Sequence, residues 1–251
     1  MDFNYRKPIH FLALLLILSS IIFILILPVI QFLNMIPSAQ TSDYQAIEEE
    51  LGLLLEAMNL IFTLFLAFVF FILFPLLWYL FVNSFSFRKS IAKIRITLEN
   101  IDIAFLWGVL ATILIYIITF ISMFILQNFA GTDVADLSNI PDLQNYFSSP
   151  AILFILVAIM PIAEEIFFRG FLLEKFESFA GPNIAIVATS ILFGIAHMGY
   201  GKLFPVIVPI FMGLLLAYIV IRTKNLFASI FAHVSFNVIA IILYFLGKSL
   251  V

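Results

Sequence analysis

Apolar runs long enough to cross a bilayer dominate this chain, and they restrict it to one kind of fold. A helix needs about 20 apolar residues to cross a hydrocarbon core of about 30 Å. Runs of that order fall near residues 9–33, 57–82, 101–126, 150–174, 183–200, 204–221 and 226–246. The expected fold is all-α: a polytopic membrane helix bundle with about seven transmembrane helices. The fifth run, from Asn183 to Met198, is the shortest for a full crossing. The composition agrees, with 64% hydrophobic and 11% charged residues, against about 45–50% and about 25% in soluble domains. A soluble sphere of that composition would expose a large apolar surface, which a lipid solvent tolerates. The run from Ile9 to Leu33 exceeds the 7–15 apolar residues of a signal-peptide core and reads as an uncleaved first membrane helix. Residues 1–149 carry three spans and their loops, residues 150–251 carry four, and the two parts are expected to form one integrated domain.

The loops sort by charge. Arg6 and Lys7 precede the first span, the loop 83–100 carries Arg88, Lys89, Lys93 and Arg95, and Arg222 and Lys224 lie between the last two spans. The loops 34–56 and 127–149 carry carboxylates and no basic residue. Basic loops stay cytoplasmic, so the N-terminus is expected inside and, with seven crossings, the C-terminus outside. Trp78 and Trp107 fall at the same inner interface, which indole rings favour. A short surface helix is expected over Tyr44–Ala57. The chain has no cysteine, which excludes disulfides, thiolate metal sites and a cysteine nucleophile. With a net charge of −3 and no long basic patch, it is not expected to bind nucleic acid.

The fourth run is interrupted by charges. Glu164, Glu165 and Arg169 stand in an otherwise apolar segment, and each charge near the centre of a membrane helix costs about 2.5–3.5 kcal/mol on insertion scales. Such residues face a bundle interior or a wet cavity and mark function. Glu165 and Arg169 share a helix face four residues apart and can pair; Glu164 points about 100° away, with no local cation. Of the three histidines, His10 lies near the inner end of the first span, with no evident role. His197 closes Phe193-Gly-Ile-Ala-His197, and His233 lies four residues before Asn237 on one helix face. Gly181-Pro182 breaks the chain into a helical hairpin. Glu164 lies 17 residues before Gly181 and His197 16 after it, so both sit about 24–26 Å from the turn and level with each other. His233 and Asn237 sit about 12 and 18 Å from the start of the last helix. Tilt, or a hairpin tip standing out from the membrane, would bring them level, and the charges of Glu174, Lys175 and Glu177 fit such a tip.

This set suits hydrolysis, which needs an activated water and a stabilised oxyanion. A carboxylate in an apolar pocket suits a general base near neutral pH, and Glu164 fits that role with His197 polarising the same water. His233 and Asn237 can donate to the oxyanion from one helix face. The residues also suit a zinc site, because two histidines and a glutamate form a known catalytic set; Glu164, His197 and His233 would be the ligands, converging from three helices. Plainer roles fit each residue as well. Glu165–Arg169 suits a structural ion pair, the histidines and Asn237 suit interhelical hydrogen bonds, and Phe193, one of 31 phenylalanines, suits core packing.

Glu164-Glu165-x-x-x-Arg169-Gly170, then Phe193-x-x-x-His197, then His233-x-x-x-Asn237, in that order on successive membrane helices, resembles the CAAX prenyl protease and bacteriocin-processing (CPBP) family, the group of the Ras-converting prenyl protease. The resemblance covers about residues 150–245. It implies an intramembrane endopeptidase core of eight-helix type. In that core Glu164 and His197 activate the water, His233 and Asn237 form the oxyanion hole, and Glu165 and Arg169 support them, with Phe193 alongside. The implied substrate is a membrane-associated peptide or lipidated protein within the bilayer. The other function class is a non-enzymatic membrane protein: a bacteriocin-immunity or scaffold component, or a small proton-coupled transporter using the same cluster. Transporters often show repeats or paired broken helices, and neither is evident here.

Overall fold

The computed structural model describes residues 3–4, 6–34, 58, 61–129, 153–198 and 204–249. The described residues are almost all helical. Helix α1 opens with Pro8–Ile21 and continues to Asn34; α2 is Ile61–Phe81; α3 is the short Phe87–Lys93; α4 is Ile101–Phe129. Helix α5 runs over 153–180, α6 is Pro182–Ala196, α7 is Phe204–Thr223 and α8 is Phe227–Ser249. The acidic loops and the surface helix expected over Tyr44–Ala57 lie outside the described residues.

Four helices are long and apolar enough to cross a membrane: Pro8–Ile30, Ile61–Phe81, Ile101–Ile125 and Val206–Thr223. Pro182–Ala196 and Phe227–Leu243 are shorter apolar helices. Helix α5 has the length, but it carries the charges. These helices expose large apolar side chains outward, among them Phe105, Phe120 and Phe124, each more than half exposed. A bilayer covers such a surface; water would not.

Prolines set the winding of three helices. The π-type turns Ile22–Ile26, Phe68–Leu73 and Ile155–Ile159 each end two residues before a proline, namely Pro28, Pro75 and Pro161. A proline lacks the N–H and crowds the carbonyl four residues back. That carbonyl is Ile24, Phe71 or Val157, inside the wide turn in every case. The helix answers by widening locally to i→i+5 bonding, which keeps backbone groups satisfied where water is absent. A fourth π segment, Ile166–Leu172, has no proline. It contains Gly170, which lies against α3: a Cβ there would meet Ile94 Cβ at 3.1 Å.

Helix α5 is the central strut. One buried cluster joins Ala13 and Ile17 of α1, Phe71 and Trp78 of α2, Phe167, Phe168 and Phe171 of α5, and Phe193 of α6. A second joins α4, α7 and α8 through Ala104, Ala111, Ile115, Leu216, Ala228 and Ala232. The N-terminal helices therefore rest directly on the helix that carries the carboxylates. Helices α6 and α7 approach closely at Gly194, where a Cβ would lie 2.2 Å from Ile210 Cγ1; small residues permit such contacts in lipid.

Trp78 is turned inward, stacked on Phe3 at 6.0 Å, and Trp107 packs on Tyr218 at 6.4 Å. Both indoles serve packing between segments. His10 is buried, and its Nδ1 accepts from the Asn4 amide at 3.0 Å, which fastens the N-terminus to α1.

Candidate active site

The hairpin turn falls where the sequence places it. Gly181 has φ +81° and ψ 171°, a conformation open to glycine, and Pro182 starts α6 at a position where its missing N–H is harmless. Helix α6 then runs to Ala196 and ends at His197, whose φ of −96° and ψ of 4° leave the helix. The fifth run thus stops shorter than the expected residue 200, while the fourth continues past residue 174 to Ala180.

The polar residues of α5, α6 and α8 meet in the interior. Arg169 and Glu165 are both fully buried and pair at 3.0 Å, as their spacing predicts. Glu165 Oε1 also lies 2.9 Å from His233 Nδ1, across 68 residues of sequence. A carboxylate accepts, so Nδ1 is the protonated nitrogen. The other ring nitrogen, Nε2, faces Glu164 Oε2 at 3.9 Å. The two carboxylates therefore differ in kind. Glu165 is sealed, held by a guanidinium and an imidazole; the Glu164 side chain is 18% exposed and has room for a water. His197 lies within electrostatic reach of both Glu164 and His233, and its Nδ1 is 2.7 Å from the Phe193 carbonyl. The expected level match of Glu164 with His197 agrees with this placement, and His233 joins them. The wide turns of α5 hold more residues per turn than an α-helix, which shortens the helix between Glu164 and Gly181 relative to an α-helical count.

Phe193 has a larger part than core packing. Its fully buried ring lies 4.1 Å from the Arg169 guanidinium carbon, an arrangement attractive for a cation. The same ring meets His197 at 4.7 Å, Phe168 at 5.1 Å and His233 at 5.8 Å. Among the described residues, Arg169 Nε and Nη2 make no hydrogen bond; the cation sits between Glu165 and the rings of Phe193 and, at 5.7 Å, Phe168. Asn237 lies one turn beyond His233 on α8, half-buried; its side chain makes no hydrogen bond to a described residue. Beside it the backbone is fixed, because Tyr116 Oη donates to the Phe236 carbonyl at 2.8 Å.

Among the described residues, no three His, Asp or Glu side chains are grouped to hold a metal ion. His233 Nδ1 is engaged by Glu165 and His197 Nδ1 by a carbonyl.

The hairpin tip does not stand free. Glu174 is buried, accepts from Tyr79 Oη at 3.0 Å and pairs with Lys93 and Lys175, each at 2.9 Å. Glu177 pairs with Arg95 and with Lys224, the latter at 3.2 Å. Asn225 donates to the carbonyls of Thr97 and Glu99 at 3.1 and 3.0 Å. The basic loop after α2, the tip of α5 and the α7–α8 turn are thus clamped together at one end of the bundle. The sequence held the signal in the charges of Glu174, Lys175 and Glu177 and in the basic loop 83–100, without showing which of them pair.

Burial pushes the Glu177 carboxyl up, but the hydrogen bonds and charges of Arg95 and Lys224 outweigh it and hold it below the usual carboxylate range. A depressed carboxylate stabilises the fold above its unfolded value of about 4.3, and that contribution fades as pH falls through the folded value. Thermal stability in detergent is expected to drop below about pH 4, and Glu177→Gln should flatten this part of the profile. An unchanged acid limb in that variant would show that the clamp does not depend on this charge.

The fold and the cluster together define a polytopic helical membrane protein with carboxylates and imidazoles gathered inside the bundle. Residues 146–239 match the family model described as type II CAAX prenyl endopeptidase Rce1-like. The matched segment includes Glu164, Glu165, Arg169, Phe193, His197, His233 and Asn237. No curated protein and no solved structure gives a significant match.

Proposed function

We propose that this chain is an intramembrane endopeptidase in which Glu164 is the general base. The observation that carries the reading is the asymmetry of the adjacent carboxylates: Glu165 is sealed between Arg169 and His233, whereas Glu164 is part-exposed and faces His233 Nε2. Glu164 takes a proton from water as the oxygen attacks the scissile carbonyl, and returns it to the leaving amine. His197 holds the same water. His233, whose Nδ1 is held by Glu165, and Asn237 one turn on meet the developing oxyanion from one face of α8. The proposed substrates are membrane-associated or prenylated CAAX-type proteins and peptides, consistent with the family match.

The test compares peptide termini, by mass spectrometry, in membranes of cells making the wild type and cells making Glu164→Gln at equal abundance. New termini confined to the wild type are expected, and they also name the substrate. Identical termini, with the variant folded, would sink the protease reading and favour a binding or transport role for the cluster. Zinc is tested separately. On the metal-free scheme above, active purified protein should contain far less than one zinc per chain; one equivalent, with activity lost on chelation, would replace that scheme with a ligand set of Glu164, His197 and His233.

A further inference from the structure

Beneath α3 lies a cavity of about 280 Å³, lined by Phe68, Ile72, Leu76, Tyr79, Ile91 and Ile166 among others. Its wall is almost wholly apolar. The residues that α3 and its end contribute are Phe87, Ser90, Ile91 and Ile94, which recur at i, i+3, i+4 and i+7 and so form one helix face. The opposite face carries Arg88, Lys89 and Lys93, all exposed. Lys93 is tied to Glu174 and Lys89 lies 4.2 Å from the Phe85 ring centre, while Arg88 makes no ion pair among the described residues. Phe65, Phe68 and Phe87 beside the cavity are each more than half exposed. A short helix with an apolar face inward and basic side chains outward matches the pattern of a membrane-surface helix.

We infer that this cavity binds an anionic phospholipid of the surrounding bilayer, with one acyl chain against Phe68, Ile72, Leu76 and Ile91 and the phosphate held by Arg88 and Lys89. Charge complementarity selects this occupant. An uncharged lipid would gain the apolar wall but leave the cations without a partner, and basic segments next to a membrane attract anionic headgroups. A substrate tail fits the geometry less well. The cavity is lined by Ile166 but by none of Glu164, His197, His233 and Asn237, so a chain lying here does not line up with the reacting residues.

The experiment is native mass spectrometry of the full chain in detergent, titrated with dioleoyl phosphatidylglycerol or with dioleoyl phosphatidylcholine, whose tails are identical. One phosphatidylglycerol is expected to be retained at concentrations where phosphatidylcholine is not. The exposed pair of changes Arg88→Gln and Lys89→Gln should reduce that preference about tenfold or more. Ile91→Trp, which fills the cavity, should abolish retention while thermal unfolding shows that the chain is folded. Equal retention of the two lipids by the wild type would overturn the inference, as would an unchanged preference in the Arg88/Lys89 variant. Displacement of the retained lipid by a farnesylated peptide would also overturn it, by showing that the cavity belongs to the substrate. Glycerol phosphate, which lacks the chains, should not compete; competition by it would overturn the acyl-chain assignment.

Discussion

Glu164→Gln is expected to lower the rate of peptide cleavage by about 10²–10⁴, the usual contribution of a positioned proton-transfer group, with little change in thermal stability. The expectation rests on exposure and partners. The Glu164 side chain is part-exposed, and His233 Nε2 lies 3.9 Å from it, beyond hydrogen-bonding distance. An amide fills the same space and leaves the Glu165 contacts to Arg169 and His233 in place. Glu165→Gln should behave differently. Glu165 is fully buried and engages both Arg169 and His233, so that change should lower stability and activity together. The discriminating measurement is a pair of unfolding curves in detergent beside the two cleavage rates. A fully active Glu164→Gln would remove this residue as the base. A strongly destabilised one would mean that its role is structural.

Arg169→Met carries the largest expected effect on stability, about 3–5 kcal/mol, because it leaves a carboxylate buried without its cation. The guanidinium also loses its seat on Phe193, 4.1 Å away. Adding Glu165→Gln to Arg169→Met should recover much of the loss. No uncompensated buried charge then remains, and a glutamine oxygen can still accept from His233 Nδ1. Replacing a buried pair by neutral groups is often nearly neutral in energy, whereas breaking one is not. The comparison is made by chemical or thermal unfolding of the single and double variants in one detergent. If the double variant were no more stable than Arg169→Met, the charge of Glu165 would not be the source of the cost.

Much of the site follows from spacing alone, and what does not has physical reasons. Glu165 and Arg169 are i and i+4, and they pair. The Gly181-Pro182 break and equal residue counts on either side place Glu164 level with His197. By contrast, the bond from Glu165 to His233 depends on how α8 leans on α5, which no local pattern encodes. Phe193 was placed near the site by the motif that ends at His197, but among 31 phenylalanines nothing in its flanking sequence shows that its ring seats a guanidinium. The clamp at the tip was not legible for a different reason. Mixed charges near a helix end suit solvent equally well, and only the facing loop shows that Glu174 is buried with Tyr79. The wide turns had a readable cue in Pro28, Pro75 and Pro161, but a proline also fits a kink or an ordinary helix, as Pro209 inside α7 illustrates.

Those prolines act at a distance along their own helices. A turn that holds extra residues shifts the angular phase of everything after it, much as one slipped tooth re-times a gear. Pro161 stands three residues before Glu164 and two after the wide turn Ile155–Ile159. The direction in which each carboxylate faces is therefore set upstream of the carboxylates themselves. A side chain that touches no reacting atom thus helps decide which glutamate is enclosed and which one meets water.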